Sequence, residues 1–226
     1  MTAQSIFSHR ISIITGHYGT GKTELAVNLA LALAGEGCRV MLADLDIVNP
    51  YFRSADSRDR LAAQGISLLS SPYAGSNVDL PALPQEMYAI VDDTSRYAVL
   101  DIGGDDRGAL ALGRYAPGIL KEGDYAFYLV INGYRPLSHD APDTLEILRE
   151  IEAAEGIRAT ALVNNSNLGP ETTAQTVLDS LSYAEEVSRR SGLPIAMTTV
   201  DARLVPELQD KIPHLLGLTL QARDFF

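Results

Sequence analysis

Apolar positions along the chain fall into two alternating kinds of run. Short, nearly continuous stretches of Val, Ile and Leu give way to longer stretches of strong helix formers, and the pair repeats through most of the sequence. Continuously apolar strands imply burial on both faces, and their alternation with helical segments is the pattern of a parallel sheet joined by crossover helices. The pattern predicts strands at Ile11–Thr15, Arg39–Asp44, Ile66–Ser70, Tyr97–Ile102, Tyr125–Ile131, Ala159–Asn165 and Pro194–Val200. Helices are expected over 22–36 (apolar on most faces, with Gly35 and Gly37 as a stop), 53–65, 85–93, 108–123 and 143–156. A long helix is expected over 171–191 and a last one near 203–211. The expected fold is α/β, a doubly wound, mainly parallel sheet of about seven strands with helices on both faces. No repeat, low-complexity tract or linker divides the sequence, so residues 1–226 read as a single domain.

Chemistry enters where the first strand ends. Gly16, His17, Tyr18, Gly19, Thr20, Gly21, Lys22 and Thr23 match G-x-x-x-x-G-K-[ST] in full, between an apolar strand and a helix. Glycines there let backbone N–H groups turn inward around phosphate oxygens, and the helix N-terminus adds partial positive charge. Lys22 is placed to neutralise β- and γ-phosphate charge, and the Thr23 hydroxyl to ligate Mg²⁺. Two acidic segments end other strands, where an open parallel sheet holds its ligand: Asp44 and Asp46 in ADLDIVNPYFRS, and Asp101 in AVLDIGGDD. A carboxylate at Asp101 can hold Mg²⁺ directly or through water, as a Walker B residue does. The D-x-x-G run from Asp101 puts the Gly104 amide where it can sense a γ-phosphate.

The combination of GHYGTGKT, DLD at 44–46 and VLDIGG resembles the MinD/ParA/nitrogenase-iron-protein class of P-loop ATPases, the SIMIBI or deviant Walker A proteins. The segments DLDIVNPYFRS and DIGGDDRGALALGRYA also resemble bacterial ATP-binding proteins of the MinD superfamily. The resemblance implies Mg·ATP as ligand, with Asp46 positioning the attacking water and Asp44 supporting the metal or a switch segment. It also implies that Asn165, the second asparagine of LVNNSN, contacts adenine, and that Val200 and Asp201 flank the base or ribose. The guanine-reading N-K-x-D pattern is absent, which favours ATP over GTP. The class's signature lysine, the second residue of its loop, is His17 here. The expected partner is therefore either a second copy of the chain or another protein.

Composition narrows the rest. With 18 Lys+Arg against 29 Asp+Glu, the net charge is −11, which speaks against a broad basic surface for nucleic acid. No stretch is apolar enough to span a membrane, the segment 214–226 has too few cations for an amphipathic anchor, and no signal peptide is evident. A cytoplasmic protein is expected. Cys38, the single cysteine, cannot form an internal disulfide or the paired ligation an iron–sulfur cluster needs. His139-Asp140 precedes a helix and reads as its cap. Arg53 and Arg107 lie in the two acidic segments as charge-stabilising candidates. An ATPase switch is the leading reading. A small-molecule kinase or ATP-dependent ligase with an acceptor pocket in loop 70–84 is an alternative, as is a non-catalytic ATP-dependent interaction protein.

Overall fold

The structure is a computed structural model and describes residues 8–45, 55–70, 88–103 and 112–220. Its strands are β1 (Ile11–Thr15), β2 (Val40–Asp44), β3 (Ile66–Ser70), β4 (Tyr97–Asp101), β5 (Tyr125–Ile131), β6 (Ala161–Asn164), β7 (Ile195–Asp201) and β8 (Leu215–Leu218). They form one sheet in the order β3-β2-β4-β1-β5-β6-β7-β8, and every pairing is parallel. The helices are α1 (Lys22–Gly35), α2 (Ala55–Ala63), α3 (Ala89–Asp92), α4 (Ala116–Glu122), α5 (Ala141–Glu155), α6 (Ala174–Asp179), α7 (Leu181–Ser191) and α8 (Val205–Leu208). Among the described residues no helix is long and apolar enough to cross a membrane.

The two-residue period of the strands divides the core. Ile11 and Ile13 of β1, with Phe127, Leu129 and Ile131 of β5, face a cluster completed by Leu148 and Ile151 of α5 and Val187 of α7. Ile14, Tyr128 and Val130 face the opposite cluster, completed by Leu25, Leu29 and Leu33 of α1. Each of these leucines is at most 1% exposed and stabilises the fold by roughly 2 kcal/mol through its burial. Helices thus cover both faces, as the doubly wound pattern requires, and α1 is held directly behind the end of β1.

Four expectations change. The helix expected over 108–123 is interrupted by a turn at 114–115, and α4 begins at Ala116. An eighth strand, β8, pairs with β7 in parallel, Thr198 opposite Leu215, in a stretch with no strand pattern of its own. The helix expected over 171–191 is broken into a 3₁₀ turn at Gly169–Glu171, α6 and α7. Thr173 opens α6 with a capping box. Ser180 divides α6 from α7, its hydroxyl donating to the Val177 carbonyl and accepting from Asn164 Nδ2 at 3.1 Å. The helix near 203–211 shortens to a 3₁₀ turn followed by α8. Asp140 caps α5 by accepting from the Asp143 amide at 3.0 Å, which is the capping role expected for the His139-Asp140 pair.

Candidate functional site

The phosphate-loop sequence lies between β1 and α1, at the carboxyl edge of the sheet. Gly16 and Gly21 take φ of 147° and 91°. A Cβ at Gly16 would stand 2.4 Å from the Val130 carbonyl oxygen, and one at Gly21 would stand 2.2 Å from Asn165 Nδ2. Both positions therefore need glycine for positive φ and for close approach. The His17 carbonyl accepts from the Thr20 amide at 3.3 Å, the Thr20 hydroxyl at 2.9 Å and Lys22 Nζ at 3.3 Å. Gly21 is the N-cap of α1 and supplies no side-chain cap, in contrast to Asp140 and Thr173 on α5 and α6. The first-turn amides of α1 are thus not served by a capping side chain, the condition under which a helix N-terminus takes an anion.

Beside the loop stands an acidic pair. β2 and β4 are neighbours with Asp44 opposite Asp101, and β4 pairs Asp101 with Ile14 of β1. Both carboxylates are buried, at 4% and 0% exposure. Thr23 Oγ1 donates to Asp101 Oδ2 at 2.6 Å. A hydroxyl at the start of α1 and carboxylates at the ends of two neighbouring strands are hard oxygen donors, the chemistry Mg²⁺ requires. Thr23, Asp44 and Asp101 are the residues that can hold it. Asp46, Gly104, Arg53 and Arg107 lie outside the described residues, as do positions 71–84 of the loop considered for an acceptor pocket.

Asn165 is 5% exposed, and its amide is engaged at both ends. Nδ2 donates to the Thr20 carbonyl at 2.7 Å, and Oδ1 accepts from Thr199 Oγ1 at 2.7 Å. It braces the phosphate loop against β7. Val200 and Asp201 are the last two residues of β7. The Val200 side chain packs into a small core with Val177, Leu204, Leu208 and Ile212, while Asp201 accepts from the Arg203 amide and pairs with its guanidinium at 3.2 Å. The structure brings Lys22, Thr23, Asp44, Asp101 and Asn165 to one edge and turns Val200 into the core.

Two further groups near the loop belong to no sequence motif. Glu155, the last residue of α5, is 1% exposed, and its Oε1 accepts from Thr15 Oγ1 at 3.1 Å. Burial pushes its carboxyl up to about 7, against the Thr15 hydrogen bond and the Lys22 charge, which pull it down. The signal was present: Ala141, Thr144, Leu148, Ile151 and Glu155 share one helical stripe and are all buried. Arg135, in the loop after β5, donates from Nε to the Gly19 carbonyl at 2.9 Å. A single loop arginine gives no sequence signal.

The glycine at 21 yields a direct test. Gly21→Ala is expected to destabilise by roughly 2 kcal/mol or more, lowering the thermal midpoint by about 4–8 °C, because its φ is unfavourable for a Cβ and the methyl meets Asn165. A midpoint within 1–2 °C of the parent (roughly the effect of 0.5 kcal/mol) would show that the loop backbone is not held as described.

A model of the CobQ/CobB/MinD/ParA nucleotide binding domain matches residues 11–193. Over 40 residues the chain is 52% identical to the iron-sulfur cluster carrier protein of Escherichia coli K12, a stretch amounting to 18% of this chain and 11% of that protein. Among solved structures it resembles the cell division protein FtsY of Thermotoga maritima, with TM-score 0.53 and 18% identity, covering 84% of this chain and 61% of that one. FlhF complexed with GTP and Mg²⁺ gives TM-score 0.53 at 10% identity, covering 88% of this chain and 69% of that one. At these identities the two structures establish a shared fold.

Proposed function

The chain belongs to the CobQ/CobB/MinD/ParA family of nucleotide-binding domains, and from that premise we propose that it binds Mg·ATP and hydrolyses it to ADP and phosphate as a conformational switch. The observation that carries this reading is the Thr23–Asp101 hydrogen bond beside a phosphate loop whose helix has no side-chain cap. A hydroxyl and a carboxylate of the kind a divalent cation takes, beside a helix start of the kind an anion takes, support this reading.

Lys22 and the loop amides stabilise charge that develops on the phosphoryl oxygens. Thr23, Asp101 and Asp44 would hold Mg²⁺, which would neutralise phosphate charge. Asp46 orients the water that attacks the γ-phosphorus as the bond to the ADP oxygen breaks, and the Gly104 amide senses the γ-phosphate. Asn165 contributes by holding the Thr20 end of the loop. The reaction takes place within one domain, and the half-buried Cys38 suits a reducing, cytoplasmic setting. The partner is a second copy of the chain or another protein.

Phosphate release from ATP and from GTP, followed over a range of protein concentrations, tests the reading. Turnover above a Lys22→Ala control, with ATP preferred, is the expected result, and a rate per protomer that climbs with concentration would identify a second copy as the partner. A rate equal to that control would overturn the hydrolysis reading. Consumption of ATP only when a metabolite is supplied would instead identify a kinase or ligase. Asp46→Asn is expected to slow release by about 10²-fold or more while ATP affinity stays within a few-fold of the parent. Loss of affinity would reassign Asp46 to the metal or to the fold.

A further inference from the structure

The loop that follows β5 is built to present Arg135. Its backbone is closed on both sides, with the Arg135 amide donating to the Asn132 carbonyl at 3.2 Å and the Arg135 carbonyl accepting from the Ser138 amide at 3.1 Å. Asn132 Oδ1 accepts from the Tyr134 amide, and Nδ2 donates to the Asn167 carbonyl in the loop after β6. The Tyr134 hydroxyl reaches the Thr176 carbonyl at 2.7 Å. From this anchored turn the guanidinium extends to the phosphate loop, donating to the Gly19 carbonyl. Its Nε, Cζ and Nη2 lie 3.4, 3.5 and 3.8 Å from the point where a Cβ of Gly19 would stand. Three atoms of the plane at such similar distances mean that one face of the guanidinium covers the bare Gly19 backbone. The residue is exposed, and among the described residues it enters no ion pair with a carboxylate.

Sheet order gives the direction in which a nucleotide would lie. The carboxylates suited to Mg²⁺, Asp44 and Asp101, stand on β2 and β4, to one side of β1. The distal phosphates belong on that side, so the ribose and base leave across the other side, over β5 and β6, where Arg135 and Asn165 stand. Leu168, in the loop after β6, adds a large apolar side chain 46% exposed at the same edge. A planar cation with one face covered and the other open is a platform for a flat aromatic ring.

We propose that the open face of Arg135 carries the base of the bound nucleotide, so that this arginine contributes to nucleoside recognition and not to phosphate binding. This rests on the reading of residues 16–23 as the phosphate site. The closing experiment compares Mg·ATP, Mg·ADP and Mg·pyrophosphate, the last being the phosphate moiety without a base, by titration calorimetry on the parent, Arg135→Ala and Lys22→Ala. Arg135→Ala is expected to lower ATP and ADP affinity in parallel by about tenfold, as loss of one stacking contact would, and to leave pyrophosphate affinity within twofold. A parallel loss of pyrophosphate binding would mean that Arg135 shapes the loop or meets phosphate, which overturns the proposal. Unchanged ATP and ADP binding overturns it equally. Failure of the underlying phosphate-site reading has a separate signature, since Lys22→Ala would then leave pyrophosphate affinity intact.

Discussion

Lys22→Ala is expected to lower Mg·ATP affinity by about 10²-fold or more while leaving the fold in place. Lys22 is the first residue of α1 and is 6% exposed, so its ammonium acts in an environment that screens charge poorly. Charge-assisted hydrogen bonds to two phosphoryl oxygens, at about 1.5–3 kcal/mol each, amount to at least about 3 kcal/mol, or roughly 10²-fold in affinity. Its Nζ donates to the His17 carbonyl over 3.3 Å, a long contact whose loss costs the loop little. Alanine is the strongest helix former and sits without strain at a first helical position. Calorimetry with a slowly hydrolysed ATP analogue reads the affinity, and circular dichroism reads the fold. Binding within threefold of the parent would mean that the nucleotide phosphates do not lie in this loop.

That the conformation of the candidate phosphate loop was legible from eight consecutive residues follows from how locally it is built. Positive φ at Gly16 and Gly21, and a helix starting at Lys22, are properties of neighbouring residues, and the motif specifies them without reference to the rest of the chain. The strands were legible for a related reason: burial on both faces leaves little choice but apolar residues along most of β1, β2, β4 and β5. What failed was mostly non-local. The helix expected over 171–191 begins late, behind the Gly169–Glu171 turn and the Thr173 cap, and at the break between α6 and α7 the Ser180 hydroxyl is tied to Asn164 on a neighbouring strand, which helical periodicity does not register. β8 is four residues long with a glycine at its third position, too short to show alternation, and it exists because β7 offers an edge. Asn165 was placed at the site, but its engagement with Thr20 and Thr199 spans 145 and 34 residues, so its bracing role emerged only from the folded arrangement.

Glu155→Gln is expected to stabilise the protein at pH 8 and to do nothing at pH 4.5. The carboxyl is 1% exposed and, among the described residues, its Oε2 finds no hydrogen-bond partner, so the folded state favours the protonated form. Burial raises its pKa from 4.5 to about 7. The sign follows from linkage: a group whose folded pKa is raised contributes stability that is fully present below the unfolded value and is lost as pH climbs through the folded one. The loss runs from about pH 4.5 to 7 and reaches about 3 kcal/mol above that window. Glutamine keeps an acceptor for the Thr15 hydroxyl at 3.1 Å without acquiring charge. The variant should therefore match the parent near pH 4.5 and exceed it by up to about 3 kcal/mol at pH 8, or about 6–12 °C in thermal midpoint. Urea unfolding of both proteins at half-unit pH steps isolates the difference, because titrations they share cancel. Parallel stability curves would place the Glu155 carboxyl in contact with solvent and end this account. Lys22 supplies a second check, since its charge pulls the Glu155 pKa down. In a Lys22→Ala background the ionised carboxylate loses that support, and the gain from Glu155→Gln at pH 8 should grow.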